Sequence, residues 1–447
     1  MKRYAIVGLG SRSRLYTEAL LTDYHAQGAL VGYCDVNQTR MDYYNRFYGE
    51  RLGAPPVPTY TPGDFARMLD ERQVDTVIVT SIDRTHRRYI VDALERGRDV
   101  ITEKPLTVDA ASCQAILDAR QTTGRRLTVT FNYRYAPLHA RIKELLQSGA
   151  VGRVLSVHFE WLLDTRHGAD YFRRWHRDKR NSGGLMVHKA SHHFDLVNWW
   201  LATNPATAFG FGDLAFYGRA NAEGRGETRL YARAYGSAAA QDDPWALHLD
   251  REETLCGLYL DAEHEDGYIR DQSVFGDGIS SEDDMAVLVR YRSGATLSYH
   301  LTAYAPWEGY RIAFNGTTGR LEARVEETSD VSGAAGDHNR PDLRDATPAQ
   351  RPTAPDIVLR PLWGQPISVP VPTEEGGHGG GDVRLLRDLF EDADGDDPLG
   401  RAAGVVDGVY AALTGIAANR SFATGQPVEI ADLIRWPSGT GEPWVPR

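Results

Sequence analysis

Short apolar runs alternate with stretches of helical periodicity through the first third of the chain. The apolar runs cover residues 4–7, 29–34, 74–80, 99–102 and 126–131. Runs of this length predict strands that are buried on both faces of a sheet. Because helical stretches follow them, as at 15–20 and 86–94, we predict a doubly wound parallel sheet. Such a sheet has its ligand crevice at the carboxyl ends of the strands.

The pattern changes beyond residue 150. Further strands are predicted at residues 154–161, 208–217, 285–291, 295–304, 310–314 and 320–325. Several of them follow one another across short turns such as 292–294, which is typical of an antiparallel sheet. One face of that sheet must be covered, and the helices of this region, including an alanine-rich one around 402–418, are the candidates.

We therefore expect two domains. Residues 1–134 are predicted to form the domain with the doubly wound parallel sheet. Residues 135–447 are predicted to form an α+β domain with a mainly antiparallel open sheet and helices on one face. Insertions are expected near 218–284 and 327–356. The acidic run at 261–267 does not match the EF-hand spacing, so we interpret it as a solvated or substrate-facing loop.

Composition narrows the class of protein. A chain of 447 residues can form two domains with a substantial core. Its net charge of −11 argues against nucleic-acid binding. The 3 cysteines are far apart, which favours a reducing compartment over a disulfide framework. The first apolar run is too short for a signal peptide and no membrane-length span follows, so we expect a cytoplasmic protein with no membrane partner.

The first predicted strand leads into a glycine-rich turn. The turn carries Gly8, Gly10, Ser11, Arg12, Ser13 and Arg14, and a helical stretch follows it. Two glycines at this spacing let a pyrophosphate approach backbone N–H groups at a helix N-terminus. Ser13 stands where the dinucleotide fingerprint has its third glycine, and a serine is small enough for the helix to pack closely on the strand.

The second strand ends in Asp35, a little over twenty residues beyond the turn. A carboxylate there can accept hydrogen bonds from the ribose 2′-hydroxyl of a dinucleotide and would repel a 2′-phosphate. NAD is thus favoured over NADP, although Arg40 a few residues further on leaves NADP open.

Lys104 is predicted to lie at the carboxyl end of the fourth strand, in the ligand crevice. Pro105 disfavours helix at the residue before it and so holds Lys104 in extended geometry. A lysine at this place is a candidate for function rather than a solvated surface charge.

A histidine-rich stretch follows the turn at Ser182. His188, His192 and Asp195 share one face of the predicted helix, whereas His193 points elsewhere and is expected in the core. Imidazole is well suited to proton exchange near neutral pH. The same spacing could serve zinc, but Asp195 can also pair with a neighbour, and we expect no metal.

Together these features resemble the Gfo/Idh/MocA family, named for glucose–fructose oxidoreductase, inositol dehydrogenase and rhizopine catabolism. The resemblance extends over nearly the whole chain. It rests on the glycine-rich turn, Thr85-His86, Glu103-Lys104-Pro105, Asn132-Tyr133-Arg134, and Gly183-Gly184 with the histidine stretch.

The resemblance implies oxidation or reduction of sugars or cyclitols with NAD(P), with Lys104 and His192 as catalytic residues. It also implies that residues 1–134 are an NAD(P)-binding Rossmann domain. Residues 135–447 would then bind substrate and form a homo-oligomer, a dimer or tetramer, through the C-terminal sheet. The expected cofactor-binding residues are Gly8, Gly10, Ser11, Arg12, Ser13, Arg14, Asp35, Thr80, His86, Glu103 and Lys104.

One departure from the family concerns His188, which stands where its dehydrogenases commonly carry an aspartate. An imidazole cannot hold Lys104 as an ion pair, so we treat His188 as a third catalytic candidate. The expected substrate-binding residues are Tyr133, Arg134, Arg174, Trp175, His176, His188 and His192.

Three functions fit these residues. The first is dehydrogenation of a secondary hydroxyl of a sugar, sugar derivative or cyclitol. The second is an oxidoreductive glycosidase that oxidises sugar C3 transiently, eliminates the aglycone and returns the hydride. The third is a cofactor-binding regulator without catalysis, which the presence of both Lys104 and His192 disfavours.

Overall fold

The computed structural model describes residues 1–328, 331, 356–372, 380–391 and 397–436. The strands are β1 (Lys2–Val7), β2 (Gly28–Cys34), β3 (Thr59–Tyr60), β4 (Thr76–Val79), β5 (Asp99–Thr102), β6 (Leu127–Val129), β7 (Val154–Asp164), β8 (Pro205–Asp213), β9 (Asp284–Tyr291), β10 (Thr296–Ala305), β11 (Glu308–Gly316), β12 (Gly319–Thr328), β13 (Asp356–Pro361), β14 (Ile367–Val369) and β15 (Val428–Glu429). The helices are α1 (Ser13–Leu21), α2 (Gln38–Leu52), α3 (Phe65–Glu71), α4 (His86–Glu95), α5 (Ala110–Thr123), α6 (Pro137–Gln147), α7 (Thr165–Arg173), α8 (Lys179–Ser182), α9 (Leu185–His188), α10 (Ala190–Leu201), α11 (Arg219–Gly224), α12 (Glu253–Leu255), α13 (Glu263–Asp266), α14 (Gly381–Phe390) and α15 (Val405–Thr424).

The N-terminal sheet is parallel throughout, with strand order β3-β2-β1-β4-β5-β6. Side chains of β1 alternate between two hydrophobic clusters, with Ala5 and Val7 in one and Tyr4 and Ile6 in the other. Both faces of the sheet are therefore covered, which confirms the predicted doubly wound arrangement.

The C-terminal sheet has nine strands in the order β14-β13-β12-β11-β7-β10-β9-β8-β15. All neighbours are antiparallel except β7 and β10, which are parallel. In β9, Met285, Val287 and Val289 are buried while Ala286 and Leu288 are exposed. This alternation shows that one face is covered by helices and the other is open, as the sequence predicts.

Helix α15 lies close to the stretch that carries the histidines. A Cβ at Gly415 would meet the carbonyl oxygen of Met186 in α9 at 2.1 Å, so the absence of a side chain is what allows this approach. The packing fixes the position of α9 relative to the C-terminal sheet.

Strand β8 ends at Asp213, so the expectation that it reaches Tyr217 is wrong. The carboxylate of Asp283 accepts hydrogen bonds from the backbone N–H groups of Ala215, Phe216 and Tyr217. These amides are satisfied by a side chain instead of a neighbouring strand, and the chain turns away from the sheet.

The insertion near 218–284 contains α11, α12 and α13. Its acidic run, interpreted from the sequence as a solvated or substrate-facing loop, includes the short helix α13 and lies against the start of α2. The second predicted insertion, near 327–356, falls almost entirely outside the described residues. Among the helices that the structure describes, none is long and apolar enough to cross a membrane.

Candidate active site

The glycine-rich turn joins β1 to α1. Gly8 has φ +89°, and a Cβ there would meet the Cα of Ser81 at 2.4 Å, so glycine is required. The hydroxyl of Ser13 donates to the carbonyl of Gly10 at 2.8 Å and lies 2.7 Å from the hydroxyl of Tyr44. The serine that replaces the third glycine thus braces the turn.

Asp35 lies at the carboxyl end of β2, beside this turn. Its carboxylate accepts hydrogen bonds from the backbone N–H groups of Leu9, at 2.5 Å, and Asn37, at 2.9 Å. Burial raises the pKa of Asp35, and Arg40 opposes the rise. Arg40 is itself engaged, because it binds Asp266 at 2.6 Å and donates to the carbonyl of Leu258 at 2.9 Å.

Residues 252–268 of the insertion form a clasp over this end of the N-terminal domain. The Tyr259 hydroxyl lies 3.0 Å from the Ser11 nitrogen, and Ala262 accepts a hydrogen bond from the side chain of Asn37 at 2.7 Å. Glu265 accepts from the backbone N–H groups of Gln38 and Thr39, at the start of α2. Nothing in the sequence pattern indicated this clasp.

Glu103 connects the glycine-rich turn to the end of β5. Its Oε1 accepts from Arg12 Nε and from the Tyr16 hydroxyl, each at 2.6 Å. The charge of Arg12 helps hold the pKa of Glu103 below its ordinary value despite the burial. The Thr80 hydroxyl donates to the carbonyl of Gly8 at 2.6 Å, so Thr80 also supports the turn.

Two of the expected cofactor residues have partners within the protein. Both ring nitrogens of the buried His86 lie against backbone carbonyls, those of Pro105 at 2.9 Å and Ser81 at 3.0 Å. Arg14 pairs with Glu18, one turn further along α1, at 3.0 Å. His86 thus braces the ends of β4 and β5.

Lys104 lies at the crevice, as the sequence predicts for a strand end, and the Lys104–Pro105 peptide bond is cis. Its ammonium donates to the carbonyl of His188 at 3.2 Å and lies 3.5 Å from His188 Nε2. Burial lowers the pKa of Lys104 to about 8, and the carboxylates of Asp83 and Glu103 oppose the fall. A lysine with a lowered pKa at a ligand crevice is a candidate for catalysis.

The histidine stretch is divided, because α9 ends at His188 and α10 begins at Ala190. The ring of His192 stacks on Tyr133, with centroids 4.3 Å apart. His193 is in the core, where its Nδ1 lies 2.6 Å from the Tyr299 hydroxyl. His188 and His192 therefore lie on the side of the N-terminal domain, and His193 on the side of the sheet.

Arg134 and Asp195 form a buried ion pair, with contacts of 2.8 and 2.6 Å. Arg134 also binds Asp407 at 2.8 Å and is only 2% exposed. The structure thus places Arg134 inside the fold, where both carboxylates hold its guanidinium. Among the described residues, no three His, Cys, Asp or Glu side chains meet as a metal site requires.

Arg174, Trp175 and His176 lie beside His188. The ring centroids of His176 and His188 are 4.1 Å apart, and those of Trp175 and His188 are 6.0 Å apart. Nδ1 of His176 is buried and has no hydrogen-bond partner among the described residues, whereas Arg174 and Trp175 are partly exposed. A polar ligand in the crevice would satisfy the histidine nitrogen.

Sequence reasoning missed two polar residues of this region. Asp83 follows β4, and its Oδ2 lies 2.6 Å from His188 Nδ1. Lys189 donates to the Tyr133 hydroxyl at 3.1 Å, and burial lowers its pKa while Glu308 opposes the fall. The position of Asp83 at a strand's carboxyl end was a usable signal, whereas nothing in the sequence singled out Lys189.

A parallel sheet with a glycine-rich turn at the carboxyl ends of its strands is typical of a dinucleotide-binding domain. The models of one oxidoreductase family match the chain in two parts: the NAD-binding Rossmann fold at residues 2–131 and the C-terminal α/β domain at residues 143–430. The chain belongs to the Gfo/Idh/MocA oxidoreductase family.

Relatives and solved structures are consistent with that assignment. The protein YteT of Bacillus subtilis (strain 168) is 35% identical over 97% of this chain and 99% of its own length. An inositol 2-dehydrogenase of Gluconacetobacter diazotrophicus is 44% identical over 21% of this chain and 29% of its own. The WlbA dehydrogenase of Bordetella pertussis, solved with NADH and UDP-GlcNAcA, shares the fold with a TM-score of 0.60, covering 96% of this chain and 98% of its own at 18% identity.

Proposed function

We propose that this protein transfers hydride between NAD and a secondary hydroxyl of a sugar, sugar derivative or cyclitol. The observation that carries the proposal is the contact of Lys104 with His188, 3.5 Å from Nζ to Nε2, at the crevice of a family Rossmann domain. A lysine at the end of a strand, in contact with an imidazole, can stabilise an oxyanion and exchange protons with it.

Three features support NAD as the cofactor. Gly8 leaves room for close backbone approach, and Asp35 presents a carboxylate where a ribose hydroxyl would bind. Arg40 is 7% exposed and binds Asp266 and the carbonyl of Leu258, so its burial and these contacts oppose the approach of a 2′-phosphate. When bound, the nicotinamide supplies the hydride acceptor or donor.

Residues of the protein itself transfer the proton and stabilise the charge on the substrate oxygen. His192 removes the hydroxyl proton, and the Lys104 ammonium donates a hydrogen bond to the oxygen as negative charge develops. The rings of Tyr133 and His192 stack with their planes 16° apart, and this packing restricts the plane of the imidazole.

The sugar or cyclitol would be bound by polar groups around His188. Arg174 and Trp175 are partly exposed beside it, and His176 has an unpartnered Nδ1 among the described residues. Hydroxyl-rich rings are well matched to such a set, since each hydroxyl both donates and accepts hydrogen bonds.

The oxidoreductive glycosidase remains the second candidate, and His176 beside His188 favours it. That reaction oxidises C3, removes the acidified C2 proton and expels the glycosidic oxygen, which leaves as the protonated aglycone. Water then adds across the C1–C2 double bond, and the hydride returns to C3. It needs a base beyond the one that serves C3, and a second imidazole near Lys104 can provide it.

The test is to release and identify the cofactor from purified protein, then to supply cyclitols, sugars and aryl glycosides. Accumulation of NADH with a free cyclitol or sugar is expected. Release of aglycone without net NADH, lost in Lys104→Ala, would establish the glycosidase instead. If no nicotinamide cofactor binds, both candidates fail.

We also propose a homo-oligomer that associates through the open face of the C-terminal sheet. That face exposes Phe211 by 68% and Leu288 by 58%, between charged groups of both signs such as Arg311 and Glu160. Exposed apolar side chains rimmed by charge are typical of interfaces. Cysteines that are all unpaired fit a cytoplasmic location.

A further inference from the structure

We propose that Asp83 is a positioning residue of the reaction, which acts through His188 to orient the ammonium of Lys104. The inference deepens the proposed function and rests on it for its catalytic consequence. The hydrogen-bonded series Asp83–His188–Lys104 joins the ends of β4 and β5 to α9, across the boundary between the two parts of the chain.

Asp83 is well placed to fix the imidazole. It is 3% exposed at the start of the 3₁₀ turn Asp83–Thr85, four residues after the end of β4, and its Oδ2 lies 2.6 Å from His188 Nδ1. Burial raises the pKa of Asp83, and the charges of Lys104 and Arg174 oppose the rise. A short bond to a buried carboxyl group restricts both the rotation and the tautomer of an imidazole.

The tautomer follows from what Lys104 can do. A lysine ammonium has three donors and no acceptor, so the His188 Nε2 that faces it must carry the lone pair. The ring proton is then on Nδ1 and is donated to Asp83. Lys104 directs one N–H to Nε2 and another to the His188 carbonyl, which leaves the third for a substrate oxygen.

In this arrangement the carboxyl group of Asp83 does not contact Lys104 directly. A carboxylate at position 188 would contact Lys104 directly, whereas here a neutral imidazole separates Asp83 from Lys104. Burial and the nearby charge of Lys104 lower the pKa of His188 well below its ordinary value, which keeps the imidazole neutral. Lys104 is therefore held by a neutral acceptor instead of being locked in an ion pair.

The first test uses Asp83→Asn in the full-length protein. Histidine ¹⁵N NMR should show a downfield Nδ1 proton of His188 that is lost or strongly shifted in the variant, and acetylation of Lys104, mapped by mass spectrometry, should become several-fold faster. Asp284→Asn is the matched control, since Asp284 pairs with His300 at 2.8 Å on the open sheet face. It should change neither signal.

Turnover supplies the second readout. Asp83→Asn should lower kcat about 100-fold, with the KM and the NAD dissociation constant nearly unchanged. The variant His188→Asp places a carboxylate directly at Lys104. Adding Asp83→Asn to this variant should lower kcat less than threefold further.

Two results would overturn the inference. One is an unchanged His188 proton together with unchanged Lys104 labelling in Asp83→Asn. The other is an equal loss of kcat from Asp83→Asn in both backgrounds. Because the NMR and labelling require no turnover, failure of the wild-type protein to oxidise any substrate counts against the proposed function alone.

Discussion

The hydroxyl of Tyr259 accepts a hydrogen bond from the backbone N–H of Ser11 at 3.0 Å, although the two residues are 248 positions apart. Ser11 belongs to the glycine-rich turn, and Tyr259 belongs to the clasp at residues 252–268. The cofactor end of the Rossmann domain is therefore completed by the other part of the chain, and contacts in the clasp should influence both stability and cofactor binding.

The carboxylate of Glu265 should stabilise the start of α2. That helix has no acidic residue of its own in the first turn, and Glu265 accepts from the N–H groups of Gln38 and Thr39. We expect Glu265→Ala to lower the free energy of unfolding by about 1 kcal/mol, measured by urea denaturation.

Glu253→Ala provides the matched control for that prediction. Glu253 belongs to the same insertion but makes an exposed ion pair with Arg51 at 3.4 Å. Such pairs contribute little, so the change should stay within about 0.5 kcal/mol. Equal changes in the free energy of unfolding for Glu265→Ala and Glu253→Ala would show that the contact of Glu265 with the start of α2 does not stabilise the protein.

Replacing Lys104 should alter how stability depends on pH. Burial lowers the pKa of Lys104 from 10.5 to about 8, so between these values the unfolded chain binds a proton that the folded protein lacks. Stability of the wild type relative to Lys104→Met should therefore rise with pH across this window, by up to about 3 kcal/mol, and be constant below pH 8.

Urea midpoints of both proteins at a series of pH values measure this difference. Asp83, Glu103, Arg12 and Lys189 also act on the Lys104 charge and are retained in Lys104→Met. A difference that stays flat from pH 8 to 10 would mean that the pKa of Lys104 is not lowered.

His192→Asn should slow the chemical step. Removing a general base costs roughly 10² to 10⁴ in rate, so kcat should fall by about that factor while the NAD dissociation constant is retained. His300→Asn, on the open sheet face, should leave kcat unchanged. Steady-state kinetics and a cofactor titration separate the two effects, and a loss confined to KM would assign His192 to substrate binding alone.

Asp35→Ser should weaken the binding of NAD and reduce the preference of the protein for NAD over NADP. Loss of charged hydrogen bonds to a ribose hydroxyl is worth about 1.5–3 kcal/mol, which corresponds to a roughly 10- to 100-fold higher dissociation constant in a fluorescence titration. Asp75→Asn is the control, because Asp75 accepts from the N–H of Arg3 at the opposite end of β1. An unchanged preference for NAD would place the ribose elsewhere.

The sequence predicted both sheets and the position of Lys104 and Asp35, because strand ends in a parallel sheet converge wherever the strands are recognised. It did not identify Arg134 as the partner of Asp195 and Asp407, which lie far away along the chain. Contacts such as Asp83 with His188, or Tyr259 with Ser11, depend on how the parts of the chain pack. Local periodicity carries no information about them.

The most direct test of the central claim follows a deuterium atom. A cyclitol or sugar deuterated at its carbinol carbons is incubated with the protein and NAD. The cofactor is then released, and its mass is measured by mass spectrometry. The account predicts deuterated NADH with the wild-type protein and a much slower appearance of it with Lys104→Met, which still binds NAD. Product formed without deuterium ever reaching the cofactor, or equal rates for both proteins, would contradict it.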